Sequence, residues 1–415
     1  MIAVSLATAN HIIAECWLLA TFSEDQGQTT RRFLTPPVLQ VHDHLRQRMN
    51  ALGMTTHTDA LGNLRGLWQP HAESLRIAIG SHIDTVPNAG AFDGVLGVVL
   101  ALELIRLAQL ASLPVAIELL AFSEEEGVRF ATPFLGSRAV AGRFDPALLQ
   151  LTDQDGITLE QAIRNFHLEA ASFGPASLEA AQLHPRTRAF LEIHIEQGPV
   201  LEAEDLSLGL VTAIVGQTRC ALNFLGHANH AGTTPMHLRR DALAAAAEWT
   251  LAVESIAREG QNLVATVGKI SAQPNAANVI PSQVQLSLDI RHSDDAVRAA
   301  SLRQLLDRAE AIAARRGIQA TCQTLLDQPA IPMDPHLADR LAQALADAGL
   351  PLRPMTSGAG HDAMVMATRL PTAMLFLRSP GGLSHHPDEA VRPADVANAL
   401  HVAFLFLQRL VASPE

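Results

Sequence analysis

Two apolar runs of strand length, Leu75–Ile79 and Val115–Phe122, stand on either side of a helical pattern, Val95–Leu110. A strand, a helix and a second strand in that order mark a βαβ unit, because parallel neighbours need a crossover long enough to hold a helix. The runs are continuous rather than alternating, so both faces of the strands are expected to lie under helices. Sheets of this kind place ligands in the loops at the carboxyl ends of their strands. The loop after the first run, "GSHIDTVPNAGAFDG" from Gly80 to Gly94, carries His82, Asp84 and Asp93 at that position, and Ser123, Glu124, Glu125 and Glu126 follow the second run.

A different pattern starts near Gly216. Gln217–Gly226, Leu263–Ile270, Gln283–Arg291 and Ile318–Leu326 read as strands, while Met236–Arg258 and residues 294–316 read as helices. In "VQLSLDIR" the apolar Val284, Leu286, Leu288 and Ile290 alternate with Gln285, Ser287, Asp289 and Arg291, so one sheet face is apolar and the other is polar and carries Arg291. The order βαββαβ matches the ferredoxin-like split unit. Mixed patterning returns from about Asp327. The expected architecture is therefore α/β: a larger domain of residues 1–215 and 327–415 with a mixed sheet covered by helices, and a smaller α+β ferredoxin-like domain, residues 216–326, inserted into it.

At 415 residues the chain can bury two cores. Its formal net charge is −12, its pI is near 5.8, and its longest basic runs are pairs such as Arg31-Arg32, Arg239-Arg240 and Arg315-Arg316. Nucleic acid and anionic membranes need a clustered basic face, so neither is an expected partner. The three cysteines, Cys16, Cys220 and Cys322, are far apart in sequence and include no CxxC pair, which suits a reduced, cytoplasmic setting. The apolar N-terminal stretch has no Lys or Arg before Arg31 and is interrupted by Asn10, His11 and Glu15, so it reads as an amphipathic helix rather than a leader. The apolar run from Val95 stops at Glu103, short of the ~20 residues a membrane span needs.

Taken singly, the polar residues in these loops have ordinary readings. A loop histidine is surface decoration, Asp before Gly is turn chemistry, and three adjacent glutamates form either a solvated turn or a cation site. "FLEIHIEQGPVLE" puts His194 on the face opposite Leu191, Ile193 and Ile195, and "PGGLSHHPDE" puts His385 and His386 in a loop after an apolar run. Together, four loops or strand ends of the larger domain offer His, Asp or Glu. Two His–carboxylate sets with a spare carboxylate suit a pair of divalent ions, a centre that generates hydroxide near neutral pH.

In this order, "GSHIDTVPNAGAFDGVLG", "SEEEGVRF", "HIEQGPVLE", "NHAGTTPM", "PNAANVIP", "DIRH", "SGAGHDA" and "GGLSHHPDE" closely resemble the motifs of the hydantoinase/carbamoylase group of dinuclear metal amidohydrolases, within the aminoacylase and carboxypeptidase superfamily. The resemblance implies two Zn or Mn ions per subunit, held by His82, Glu126, His194 and His385, with Asp93 bridging. It makes Glu125 the general base and Asp84 the carboxylate that orients His82. From the inserted domain it draws His230 as donor to the oxyanion and Asn278 and Arg291 as grips on the substrate carboxylate; Gln197, Gly358, Gly360 and His361 line the pocket. It further implies a homodimer joined through the inserted domain, closure of that domain as a lid, and hydrolysis of the carbamoyl group of a small carboxylate: allantoate first, then N-carbamoyl-L-amino acids or β-ureidopropionate. A dipeptidase or aminoacylase, or a binding protein on the same scaffold, are the more distant alternatives. Against the family pattern, Ala89 stands where Gly is frequent and Val128 where Ser is common, and the adjacent His385 and His386 leave the choice of ligand open.

Overall fold

The computed structural model describes residues 4–166 and 174–412. They form two compact units, Met1–Thr212 with Met333–Glu415, and Ala213–Pro332. The first stretch of the larger unit contains the helices α1 (Leu6–Ala20), α2 (Pro36–Ala51), α3 (Val95–Leu110), α4 (Leu135–Val140), α5 (Leu159–Phe166), α6 (Pro175–Ala180) and α7 (Val200–Ala203). Its strands are β1 (Thr55–Thr58), β2 (Leu64–Trp68), β3 (Leu75–His82), β4 (Val115–Phe122), β5 (Thr187–Ile195) and β6 (Leu208–Ile214).

The smaller unit holds β7 (Gly216–Leu225), α8 (Ala242–Glu259), β8 (Val264–Thr266), β9 (Ile270–Gln273), β10 (Gln283–His292), α9 (Asp295–Arg315) and β11 (Gln319–Gln328). The chain then returns through β12 (Ile331–Pro332), α10 (Pro335–Asp347), β13 (Pro354–Ser357), α11 (Asp362–Met366), β14 (Thr372–Leu377) and α12 (Pro393–Ala412).

The large sheet has the order β1-β2-β4-β3-β5-β14-β6-β12, with β13 also on β6. Its centre is parallel, β4, β3, β5 and β14 running the same way, and its flanks are antiparallel, which makes it the mixed α/β sheet expected. Every residue of β4 and β14 is buried, as the continuous apolar runs require. Helix α3 is apolar on nearly all sides because it lies between the sheet and the helices α1 and α12. Among the described residues, α12 alone is long and apolar enough to cross a membrane, and more than half of it is buried against α1, α3 and α10.

Two glycines set how closely α3 approaches the strands. A Cβ on Gly97 would lie 2.2 Å from the Ile193 carbonyl oxygen, and one on Gly94, whose φ is +68°, would lie 2.5 Å from the His82 ring. Only glycine permits that approach, and it brings the start of α3 down onto the ends of β3 and β5.

In the smaller unit the sheet is antiparallel, β11-β7-β10-β8, with β9 also on β10. Cys220, Leu222 and Phe224 of β7 and Val284, Leu286, Leu288 and Ile290 of β10 pack on α8 and α9. Two details differ from the sequence expectation. The helix expected from Met236 starts at Ala242, because the Asp241 carboxylate accepts hydrogen bonds from the Leu243 and Ala244 amides and caps it there. The strand expected at Leu263–Ile270 is split into β8 and β9, because Thr266 pairs with Asp289 and Ile270 with Leu286. That leaves one extra residue on the β8–β9 side, a bulge around Gly268.

Replacing Gly97 by Ala is expected to cost about 1–3 kcal/mol of stability, the range for overpacking a filled interior. Urea denaturation would read this as a lower midpoint, and an unchanged midpoint would show that α3 has room to shift.

Candidate metal centre

The parallel strands β3, β4, β5 and β14 end on one side of the sheet, and the polar residues singled out in the larger unit gather there. His82 closes β3, His194 lies one residue from the end of β5, Glu124–Glu126 follow β4, and His385 follows β14. The loop just before α3 adds Asp93, which is 4 % exposed.

The tautomers follow from the backbone. Nδ1 of His82 donates to the Asp84 carbonyl at 3.0 Å, and Nδ1 of His194 donates to the Ile195 carbonyl at 2.9 Å. Since each carbonyl can only accept, both Nε2 atoms point inward. They lie 3.4 Å from each other, and Asp93 Oδ1 is 3.6 Å from His82 Nε2 and 3.2 Å from His194 Nε2. Asp93 Oδ1 is buried and has no hydrogen-bond partner. Three lone-pair donors therefore converge on one point, an arrangement that repels itself without positive charge between them.

The other carboxylate oxygen, Asp93 Oδ2, lies 3.2 Å from His385 Nε2, and that nitrogen is 3.4 Å from Glu126 Oε1. His82–Asp93–His194 and Asp93–Glu126–His385 are each close enough to hold a metal ion, with Asp93 common to both. His386 faces away, its Nδ1 accepting from the Asp388 amide at 3.1 Å. These donors fit divalent metals that take imidazole and carboxylate.

The electrostatics show the same demand for positive charge. Burial pushes Asp93 up, but the adjacent imidazoles of His194, His385 and His82 hold it well below the usual carboxylate range. Hydrogen bonds to Asp93 and Glu126 push His385 up to about 10. Glu125 is raised well above its ordinary value, first by burial, against the pull of His82, with Glu126 and Asp362 adding to the rise. Its place is fixed by Asp84, whose carboxylate accepts from the Glu125 amide at 3.0 Å and from the Glu126 amide at 3.1 Å. The Asp84 carboxylate is 3.6 Å from His82 Nδ1, so its carbonyl rather than its carboxylate orients that imidazole.

Other residues singled out from the sequence meet the same cluster. Gln197, with φ +58°, donates from Nε2 to Asp93 Oδ2 at 3.1 Å. His361 is buried 4.5 Å, centroid to centroid, from the His194 ring and shares a 2.9 Å hydrogen bond with Ser357. Burial and the neighbouring His194 hold it well below the ordinary imidazole value. A Cβ on Gly360 would meet Phe134 at 2.8 Å, while one on Gly358 would meet nothing. Within the smaller unit, His230 and Asn278 occupy adjacent exposed segments, joined by the Ala231 amide donating to the Asn278 carbonyl at 2.9 Å. Arg291 pairs with Asp289 of its own strand at 2.9 Å.

Two features escaped the sequence reading. The carboxylate of Glu389 accepts from the Phe92 and Asp93 amides at 2.9 and 3.0 Å and so fixes the loop that presents Asp93. Asn63, fully buried, accepts from the Ser123 amide at 3.0 Å and donates to Asp59 and to the Gly136 carbonyl, anchoring the end of β4 just before the glutamates. Glu389 lies inside the "GGLSHHPDE" motif, which was the one available signal.

Buried histidines and carboxylates at the carboxyl ends of a mixed α/β sheet define a metal-binding hydrolase. Residues 78–409 match the model of peptidase family M20/M25/M40. The probable allantoate deiminase of Oryza sativa subsp. japonica is 37% identical over 91% of this chain and 84% of its own. The N-carbamoyl-L-amino-acid amidohydrolase of Paenarthrobacter aurescens is 36% identical over 97% and 98%. A hydantoinase/carbamoylase family amidase from Burkholderia ambifaria, 33% identical, superposes with a TM-score of 0.89 over 97% of each chain. The chain belongs to peptidase family M20/M25/M40 and, within it, to the hydantoinase/carbamoylase amidohydrolases, enzymes that hydrolyse carbon–nitrogen bonds.

Replacing Glu389 by Ala is expected to weaken zinc or manganese affinity about 10- to 100-fold, as loss of a group supporting a metal ligand does. Calorimetric titration would measure it, with circular dichroism showing a native fold; unchanged affinity would mean that the loop holds Asp93 without Glu389.

Proposed function

We infer that this chain is a dinuclear amidohydrolase that removes the carbamoyl (ureido) group of a small carboxylate, releasing ammonia and carbon dioxide, with allantoate as the preferred substrate. What carries it is the meeting of His82, His194, Glu126 and His385 around the two oxygens of buried Asp93, with the protected carboxyl of Glu125 beside them. Bound there, two divalent ions, zinc or manganese, would polarise the scissile carbonyl and make water nucleophilic near neutral pH.

The remaining chemistry belongs to the chain. Glu125, its backbone pinned by Asp84 and its pKa raised, takes a proton from the attacking water and returns it to the leaving nitrogen. A raised pKa suits that double duty, since a strongly acidic carboxyl would take the proton poorly. His230 donates to the developing oxyanion, Asn278 and Arg291 hold the substrate carboxylate, and Gln197, Gly358, Gly360 and His361 line its pocket. These assignments require the smaller unit, a βαββαβ module with the strand order of a ferredoxin-like domain, to serve as lid and dimerisation domain. The exposed Leu243 and Leu251 of α8 support a protein-covered surface there. A cytoplasmic homodimer completes the assignment.

N-carbamoyl-L-amino acids are the second substrate class, favoured by the full-length similarity to the Paenarthrobacter enzyme. The test is ammonia release by zinc- and manganese-loaded protein from allantoate and from a panel of N-carbamoyl-L-amino acids. Allantoate is expected to be turned over faster than the panel; preference for a carbamoyl amino acid would replace the substrate, and no ammonia from either would overturn the activity. Glu125→Gln is expected to keep its metal, measured by plasma mass spectrometry, and to lose about 10²- to 10⁴-fold in kcat.

A further inference from the structure

Two of the three cysteines, separated by about a hundred residues in sequence, are neighbours in the smaller unit. Strands β7 and β11 pair antiparallel, with Cys220 opposite Thr324 and Cys322 opposite Leu222. Cys220 and Cys322 are thus two positions apart on one face of the ladder, diagonal neighbours whose side chains reach each other across a twisted pair. The Thr324 hydroxyl lies 4.0 Å from the Cys220 sulfur. Cys220 is buried and Cys322 is exposed.

We propose that Cys220 and Cys322 are a reversible thiol–disulfide couple that, when oxidised by a small-molecule disulfide, covalently ties the edge strand β11 to β7.

The geometry allows closure with a small adjustment. A disulfide needs Cα atoms within about 7 Å, the near limit of the ~7–8 Å that separates diagonal neighbours, so closure draws the two strands slightly together. Strand β11 ends the sheet order among the described residues, so no further strand of those residues holds its outer side, and its register already slips between Thr324 and Leu326, beside the pair. The neighbouring Cys322 thiol lowers the Cys220 thiol to about 7, against the effect of burial, and Cys322 is raised well above its ordinary value. One proton shared between two sulfurs makes a ready thiolate at neutral pH.

The chemistry balances with glutathione disulfide as oxidant. The Cys220 thiolate acts as base and takes the Cys322 proton as the exposed Cys322 sulfur attacks one sulfur of glutathione disulfide. The first glutathione leaves and takes that proton from Cys220, and a mixed disulfide remains on Cys322. Cys220, deprotonated, then attacks the Cys322 sulfur and expels the second glutathione. Two protein thiols are oxidised to one disulfide, and one glutathione disulfide is reduced to two thiols. The closed loop spans residues 221–321, nearly the whole smaller unit, so the bond constrains its unfolded state strongly. Cys16, fully buried in the core of the larger unit, has no such partner among the described residues and serves as an internal control.

The test equilibrates the full-length, metal-loaded protein with glutathione buffers of increasing oxidised fraction, quenches with acid, and reads intact mass and peptide maps. Wild type is expected to lose two hydrogens in a single step, to yield a linked Cys220–Cys322 peptide pair, to unfold at a higher temperature, and to revert with dithiothreitol. Cys220→Ala is expected to stop with one glutathione on Cys322, because the resolving thiol is gone. Wild type that halts at that mixed disulfide, or keeps both thiols under the most oxidising buffer, overturns the proposal. Since wild type alone decides the outcome, a variant that fails to fold does not blur it.

Discussion

The carboxylate of Asp93 is buried where three imidazoles meet, His82 and His194 at one oxygen and His385 at the other. Much of the larger unit is arranged to make this possible. Asp93 immediately precedes the N-cap of α3, and that helix reaches the strand ends only because Gly94 and Gly97 leave room for His82 and the Ile193 carbonyl. Glu389 ties down the amides of Phe92 and Asp93, and Gln197, in a left-handed backbone conformation, caps the second carboxylate oxygen. Backbone carbonyls at the ends of β3 and β5 decide which nitrogen each imidazole presents. The cluster is thus held by main-chain geometry more than by other side chains.

A second consequence concerns charge. Around the histidines lie Glu124, Glu125, Glu192 and Asp362, all buried, and burial pushes each of them upward. Both oxygens of Glu124 and of Asp362 lack hydrogen-bond partners. A folded chain tolerates such groups when they are neutral or when cations sit nearby. The surplus of acid that gives the whole chain its net charge of −12 is therefore placed in part where divalent ions would use it.

How much was legible from sequence depended on the range of the interaction. Runs such as Val115–Phe122 and Val95–Leu110 coincide with β4 and α3, because a fully buried strand and a fully buried helix leave continuous apolar text. The start of α8 was misplaced because one capping aspartate, Asp241, outweighs six residues of helix-compatible sequence. The division of β8 from β9 depends on a single unpaired residue, which periodicity does not register. The residues that gather in the candidate metal centre were singled out through their motifs, most of which sit at a strand end. Glu389 was passed over because its partners, Phe92 and Asp93, are nearly three hundred residues away and are backbone amides, which carry no residue-type signature. The nearness of Cys220 and Cys322 likewise belongs to the register of β7 and β11, and the linear spacing of the cysteines pointed the other way.

The chain leaves the large sheet along β6 and returns along β12, and these two strands are hydrogen-bonded neighbours, Ile214 opposite Ile331. Paired residues on adjacent strands lie about 5 Å apart, a gap that an ordinary two-residue turn can close. Everything between them is therefore, in topological terms, an enlarged hairpin loop. An ancestor with a tight turn at that point would have possessed the same large sheet, its helices and the same cluster of histidines and carboxylates around Asp93. Insertions at such a point disturb no existing strand pairing, which makes the β6–β12 junction a natural place for module exchange, natural or engineered.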